Sequence, residues 1–374
     1  MSDGKKTIVV SAVSLRKGGT LTILRDCLCY LSTLAVDGHY RIIALVHKRE
    51  LADYPGIRYI EMPDIIKGWS RRLWCEYVTM NRISVRIAPV YLWLSLHDTT
   101  PRVRAERQVV YCQTSFPFYK WNWRDFRFDY KIVLFALFTR FAYRINVHRN
   151  DFLIVQQEWL RSGLSRLLRV KEEKFIVAPP EHKESRVVAG RIERSCFTFL
   201  YASTPDCHKN FEFVCEAVSL LEQEIGKDVF KLVLTINGQE NKYSKWLHRK
   251  YGSVSSIEFA GFMSKEKLFG YYHAVDCLVF PLQSGNMGDC PFPNLCSLAN
   301  RCFLADLPYA RETASGSERT AFFSLSAPEL LKEQMKRLWR GDTSFLASVR
   351  TSGERFSCAL SWQELFDFIK SVSK

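Results

Sequence analysis

At 374 residues the chain is too long for one ordinary α/β domain and reads as two. Its 47% hydrophobic and 25% charged residues are those of a soluble globular protein, and no window approaches the ~18 consecutive apolar residues of a membrane-spanning helix. The net charge of +14 is unevenly spread: residues 1–180 hold 29 Lys+Arg against 16 Asp+Glu, residues 181–374 hold 24 against 23. A basic half of this kind draws phosphate, whether on nucleic acid, anionic lipid or a phosphorylated substrate.

The first residues, MSDGKKTIVVSAV, lack the long apolar stretch and small-residue cleavage site of a secretory signal, which points to the cytosol. Twelve Cys are scattered without a CxxC pair; Cys27 and Cys29 make one CxC, and Cys290, Cys296 and Cys302 lie six apart. Free, buried thiols in a reducing compartment are the expectation.

Along the chain, KKTIVVSAV is a strand whose near-continuous apolar run suits a parallel sheet covered on both faces. The loop SLRKGG follows, then TLTILRDCLCYLSTLAVDG as a helix of about five turns ending at Gly38. YRIIALVHK and GIRYIEMP are further strands. Residues 70–97 mix Arg with Trp, Tyr and Leu at helical spacing and are read as core helices with outward Arg, split or kinked by Pro89; a helix lying on a membrane surface is the other reading. RQVVYCQTS and NDFLIVQQ are strands on either side of a helical region around 130–145. EEKFIVAPPEHKES ends a strand in a Pro pair and marks a domain boundary near 180–190. A second alternation then runs from CFTFLYAS to CLVFPL, and SWQELFDFIKSVSK closes the chain as an amphipathic helix. The expected organisation is an N-terminal Rossmann-like domain over 1–182, a second over 190–357, and a terminal helix in 358–374. Sheets of this kind bind ligands at the carboxyl ends of their strands.

Three places carry candidate chemistry. Gly18 and Gly19, between a strand and a helix, let backbone amides approach a phosphate or sugar, with the helix N-terminus behind them. Lys209 in YASTPDCHKNFEF opens a helix just after a strand, a place where helix-dipole logic disfavours a cation unless a diphosphate is met there. Asn286, Asp289 and Asn294 lie in or beside a loop with Pro291 and Pro293, where Asn294 suits an N-cap and the amides suit sugar hydroxyls. The run FPFYKWNWRDFRF at 116–128 interleaves aromatic and basic residues, but no RNP-like or helix-turn-helix pattern accompanies it, and nucleic acid is not an expected partner.

The segments VQQEWLRSGLSRLLRVKEEKFIVAPPEH, HKNFEFVCEAVSLL, SIEFAGFMSKEKLFGYYHAVDCLVFPL and SLANRCFLADLPYARET, in that order, resemble the successive landmarks of glycosyltransferase family 4, the group-1 glycosyl transferases. The resemblance covers most of the chain from Asp151 to Thr313. It implies the α/β GT-B fold, two Rossmann-like domains facing across a cleft, and retaining transfer of a hexosyl or deoxyhexosyl group from a nucleotide diphosphate sugar. The acceptor it implies is lipid-linked or saccharide, in bacterial surface-polysaccharide assembly such as O-antigen, capsule or exopolysaccharide. Lys209 matches the family's phosphate-binding Lys, and the glycine loop would position donor phosphates or acceptor. The family's Arg has no counterpart, its place falling near Thr204. Its two Glu, eight apart, fall at Asn286 and Asn294, with Asp289 able to take over a role, and its N-terminal-domain His falls about Gln113. No tightly bound cofactor and no metal are expected, since no Asp-x-Asp occurs. The basic N-terminal half adds an anionic membrane surface as a partner, with the protein cytoplasmic or peripheral on the inner face. The alternative is a degenerate scaffold that binds a sugar nucleotide or partner without turnover.

Overall fold

The computed structural model describes residues 5–179, 195–283, 301–314, 317, 319–346 and 360–372. The chain divides into two compact units. Unit 1 takes the described residues up to 117, those from 137 to 179 and the last helix. Unit 2 takes Phe118–Ala136 and the described residues from 195 to 346. The segment Phe118–Ala136, which the sequence reading gives to the N-terminal domain, thus counts with the second body.

Unit 1 is built on seven parallel strands: β1 (Lys6–Ala12), β2 (Tyr40–Val46), β3 (Ile57–Glu61), β4 (Leu92–Ser95), β5 (Arg107–Cys112), β6 (Phe152–Val155) and β7 (Phe175–Val177). Their order is 3-2-1-4-5-6-7. Strand β1 is buried on both faces from Thr7 on, which is why its sequence shows an unbroken apolar run instead of alternation. The helix after it, α1 (Gly18–Val36), is with its 19 residues long and apolar enough to cross a membrane by length and composition. Its Leu24, Cys27, Leu28 and Leu31 nevertheless lie fully buried in the same core as β1 and β2, so it is the covering helix of a globular unit.

Residues 70–97 do not form one helical stretch. Helix α2 (Trp69–Trp74), a π-helical turn Cys75–Thr79 and α3 (Met80–Arg86) end before Pro89, and the remainder becomes β4, the central strand beside β1. YLWLSL is short, apolar but for Ser95 and closely preceded by a Pro, and a strand buried on both faces leaves no period to separate it from a core helix. The first part lines an apolar cavity of about 410 Å³ with Ser70, Arg71, Trp74, Cys75 and Thr79. Helix α4 (Trp123–Ala142) leaves helical geometry at Asp129 (φ −149°, ψ 83°), whose carboxylate then accepts the amides of Lys131 and Ile132 and starts the helix again. Helix α5 (Glu158–Leu168) joins β6 to β7.

Unit 2 has six parallel strands in the order 10-9-8-11-12-13: β8 (Phe197–Tyr201), β9 (Phe230–Leu234), β10 (Ile257–Phe259), β11 (Cys277–Phe280), β12 (Cys302–Ala305) and β13 (Thr320–Phe323). Between them run α6 (Phe211–Ile225), α7 (Lys242–Tyr251), α8 (Lys265–Ala274) and α9 (Pro308–Thr313), with α10 (Pro328–Trp339) after β13. Its core is aromatic: Phe199, Phe211, Phe230, Phe280 and Phe303 are fully buried. The closing helix α11 (Trp362–Ser371) starts with a capping box between Ser361 and Glu364. It packs in unit 1, Phe366 against Tyr30 and Trp362 against Tyr111, and Arg107 of β5 donates to its Ile369 and Val372 carbonyls. The α/β, doubly wound expectation thus holds for both units.

Candidate functional site

Each sheet reverses its strand order once, between β1 and β4 in unit 1 and between β8 and β11 in unit 2. Helices leave to opposite faces at such a point, which opens a crevice at the carboxyl ends. The described candidate residues fall at these two points.

In unit 2 the loop after β8 is held from three sides. Ser203 donates its amide to Thr235 Oγ1 (3.0 Å), which donates back to the Ser203 carbonyl. Thr204 donates to Asp206 (2.6 Å), and Asn241 Nδ2 to the Pro205 carbonyl (2.6 Å). A 3-10 turn, Cys207–Lys209, then leads into α6. The Lys209 carbonyl accepts from Tyr201 of β8 (2.6 Å), and Asn210, left-handed at φ +59°, donates its side-chain amide to the Pro281 carbonyl just past β11 (3.1 Å). The turn is therefore tied to both strands that border the reversal. Lys209 itself is buried at 6% exposure, an uncommon setting for an ammonium group.

The neighbouring carboxyl-end loops add polar and aromatic groups. After β9, the Glu240 carboxylate accepts the amides of Asn237 (2.6 Å) and Gly238 (3.0 Å). Gly238 sits at φ +82°, and a Cβ there would lie 2.5 Å from His248 Cβ on α7. Gly238→Ala should therefore cost roughly 2–3 kcal/mol through strain and overlap, read as a drop in melting temperature; an unchanged melt would refute the geometry. After β10, Gly261 (φ +75°) turns the chain and Phe262 stands out at 93% exposure.

Residues 118–128 pack onto the α6–α7 side of this unit. Glu212, in the first turn of α6 and only 9% exposed, is ion-paired with Arg124 and accepts from the Tyr243 hydroxyl. Asp125, fully buried, accepts from the Tyr119 hydroxyl (2.7 Å) and the Asn122 amide (3.0 Å). Tyr119 stands edge-on to His208, with ring centres 6.2 Å apart, and Phe128 contacts Tyr243 and Trp246. Burial, then the hydrogen bond to Asp125 and its charge, push the Tyr119 hydroxyl far above its ordinary value. Much of the aromatic-basic run is thereby committed to packing and ion pairing.

In unit 1, Gly18 takes φ +63° with open space where a Cβ would be, so its role is conformational, not one of close packing. Gly18 and Gly19 are exposed beside exposed Arg16 and Lys17. The α1 N-terminus has no side-chain cap and no acidic residue in its first turn, so its amides and partial positive charge are offered to an anion. Across the reversal, β4 is followed by Leu96–His97–Asp98. The Gln113 side-chain amide donates to the Leu96 carbonyl (2.7 Å), and Asp98 (φ +69°) accepts the amides of Gln113 and Thr114. Gln113 is thus tied to the end of β4 and is 5% exposed.

Sequence reasoning missed His97, because it missed β4. The side chain is 1% exposed; its Nδ1 lies 3.2 Å from Thr99 Oγ1 and 3.5 Å from Glu76, whose carboxylate also holds Arg72 (2.9 Å) and Thr99 (2.7 Å). Its Nε2 has no hydrogen-bond partner among the described residues. Burial, and more weakly Arg72, pull its pKa down to about 4 against the opposing pull of Glu76. An imidazole that is neutral when folded and charges at 6.5 when unfolded stabilises fully above pH 6.5 and loses that contribution as pH falls toward 4. The loss should reach about 3 kcal/mol, measured as denaturant midpoints across that window. His97→Asn should flatten that part of the slope; an unaltered slope would rule His97 out as its source.

Asn286, Asp289, Pro291 and Asn294 lie outside the described residues; of the others, Lys209 lies after β8 in unit 2, and Gly18 and Gly19 after β1 and Gln113 after β5 in unit 1. Phe262 and Glu240 were also missed; the Gly-Phe and Asn-Gly dipeptides directly after predicted strands were the available signals. Among the described residues no His/Cys/Asp/Glu group could hold a metal ion.

Residues 196–299 match the family model Glycosyl transferases group 1. No curated protein matches the chain. Among solved structures, sucrose-phosphate synthase from Thermosynechococcus elongatus is similar with a TM-score of 0.65 at 11% identity, over 99% of this chain and 100% of that one. Anabaena HepE in complex with UDP-glucose gives 0.62 at 11%, over 98% and 100%. WaaG, a glycosyltransferase involved in lipopolysaccharide biosynthesis, gives 0.63 at 14%, over 98% and 100%.

Proposed function

For this chain of GT-B fold, with a group-1 glycosyl transferase domain over residues 196–299, we propose a retaining glycosyltransferase. It takes a hexosyl or deoxyhexosyl group from a nucleotide diphosphate sugar to a lipid-linked or saccharide acceptor. The work belongs to bacterial surface-polysaccharide assembly, on the inner face of the cell membrane. The observation that carries the reading is Lys209, buried on a turn fixed to both strands that border the unit 2 reversal. The nucleotide sugar held by HepE supports the donor class, and WaaG supports the pathway.

In the reaction the bond from the anomeric carbon to the β-phosphate oxygen breaks, a bond to the acceptor oxygen forms, and the acceptor hydroxyl loses its proton. The departing diphosphate collects negative charge, so positioning and charge neutralisation govern the rate. In this reading Lys209 meets the diphosphate and Phe262 offers an apolar face to the base. The α1 N-terminus and Gly18–Gly19 serve a phosphate or the acceptor, and Asn286, Asp289 and Asn294 serve donor hydroxyls.

A thermal-shift screen with UDP, GDP, dTDP and their sugars tests binding, since a ligand held only by the native state raises the melting temperature. A transfer assay on isolated membranes tests turnover. No shift with any nucleotide would overturn the reading. A shift with no transfer across the panel would leave a degenerate binder, the outcome that amides at 286 and 294 favour.

A further inference from the structure

In unit 1 the chain from residue 137 to 149 turns large apolar side chains to solvent: Leu137 (40% exposed), Phe138 (58%), Phe141 (63%) and Ile145 (43%). Its other side is anchored, with Thr139, Tyr143 and Val147 buried. Arg140, Arg144 and Arg149 are exposed along the same stretch, which contains no acidic residue. Arg144 donates to the Leu167 carbonyl at 3.2 and 3.3 Å, which brings it beside exposed Arg166 and Arg169. Two benzyl groups and two aliphatic chains within nine residues are turned out together, and grouped apolar exposure, unlike a single exposed side chain, asks for a partner.

We propose that this face seats unit 1 on an anionic lipid bilayer, Phe138 and Phe141 entering the headgroup–acyl boundary while the arginines meet lipid phosphate. The last helical turns to Ala142 and the turn that follows them to Arg149 together carry an apolar face, basic flanks and no acid, the combination that lies at a membrane interface, and anionic lipid rewards each nearby cation. A second copy of the chain fits poorly, because a two-fold contact would set these arginines against their own images. Single-stranded nucleic acid fits poorly as well: Leu137 and Ile145 offer no ring for a base to stack on. The proposal names the surface behind the membrane part of the reading above and is independent of the transfer step.

The test is co-sedimentation of the full chain with vesicles of phosphatidylglycerol and phosphatidylcholine in equal parts, against pure phosphatidylcholine. Binding to the mixed vesicles that weakens with salt is expected. Phe138→Ser/Phe141→Ser should lower the partition coefficient at least ~30-fold, and Arg140→Gln/Arg144→Gln should lower it roughly tenfold or more on the mixed vesicles only. Both variants should keep the wild-type melting temperature and the nucleotide shift, which separates loss of docking from loss of the donor site. Absent wild-type binding, or binding indifferent to both variants, would overturn the proposal. So would a dimer in sedimentation, or a complex with single-stranded DNA or RNA, that the Phe variant abolishes.

Discussion

Lys209→Met should lower the transfer rate roughly 100-fold or more, the usual cost of removing one donor aimed at developing negative charge. Methionine keeps the length and apolar stem, and the turn's main-chain bonds to Tyr201 and Asn210–Pro281 do not involve the removed ammonium. The main-chain frame of the turn should therefore be kept while the UDP-induced shift shrinks. An active variant with an unchanged nucleotide shift would remove Lys209 from the site. Lys209→Arg should recover part of the binding, since charge returns in a different shape.

Glu212→Ala should cost roughly 3 kcal/mol of stability, the range for breaking one side of a buried ion pair. Glu212 joins two separate pieces of unit 2, Arg124 from the segment before Ala136 and Tyr243 from α7. The loss leaves the Arg124 charge beside a new cavity. Arg124→Met together with Glu212→Leu should recover part of it: an apolar pair asks for no desolvation, but the buried Tyr243 hydroxyl loses its acceptor and Asp125 its contact with Arg124. Chemical denaturation of the wild type, Arg124→Met, Glu212→Leu and the double variant in a double-mutant cycle reads the coupling directly; additive costs would mean that the pair does not act as one unit.

What the sequence made legible follows from how local each signal is. The strand–turn–helix around Lys209 and the glycine turn at Gly18 are written in adjacent residues, and both appear where the pattern places them. Strand β4 was hidden because YLWLSL is buried on both faces, and with it went His97 and the Glu76 network. The attachment of residues 118–136 to unit 2 was illegible for another reason. Arg124 and Glu212 are far apart in the chain, and nothing near either residue announces the partner. Side chains that looked like a basic-aromatic tract are, for Tyr119, Arg124 and Phe128, internal packing. The exposure of Phe138 and Phe141 was likewise beyond reach, since an aromatic residue in a helix reads the same whichever way it faces.

The route of the backbone has a practical corollary. One body lends Phe118–Ala136 to the other and takes back the final helix, so no single scission yields two complete pieces. A fragment stopping near the Pro179–Pro180 pair would keep Arg124 and Phe128 yet lack their partners Glu212, Tyr243 and Trp246, and would forfeit α11 besides. Such an isolated half should clump, whereas both fragments made together in one cell should rescue each other's solubility.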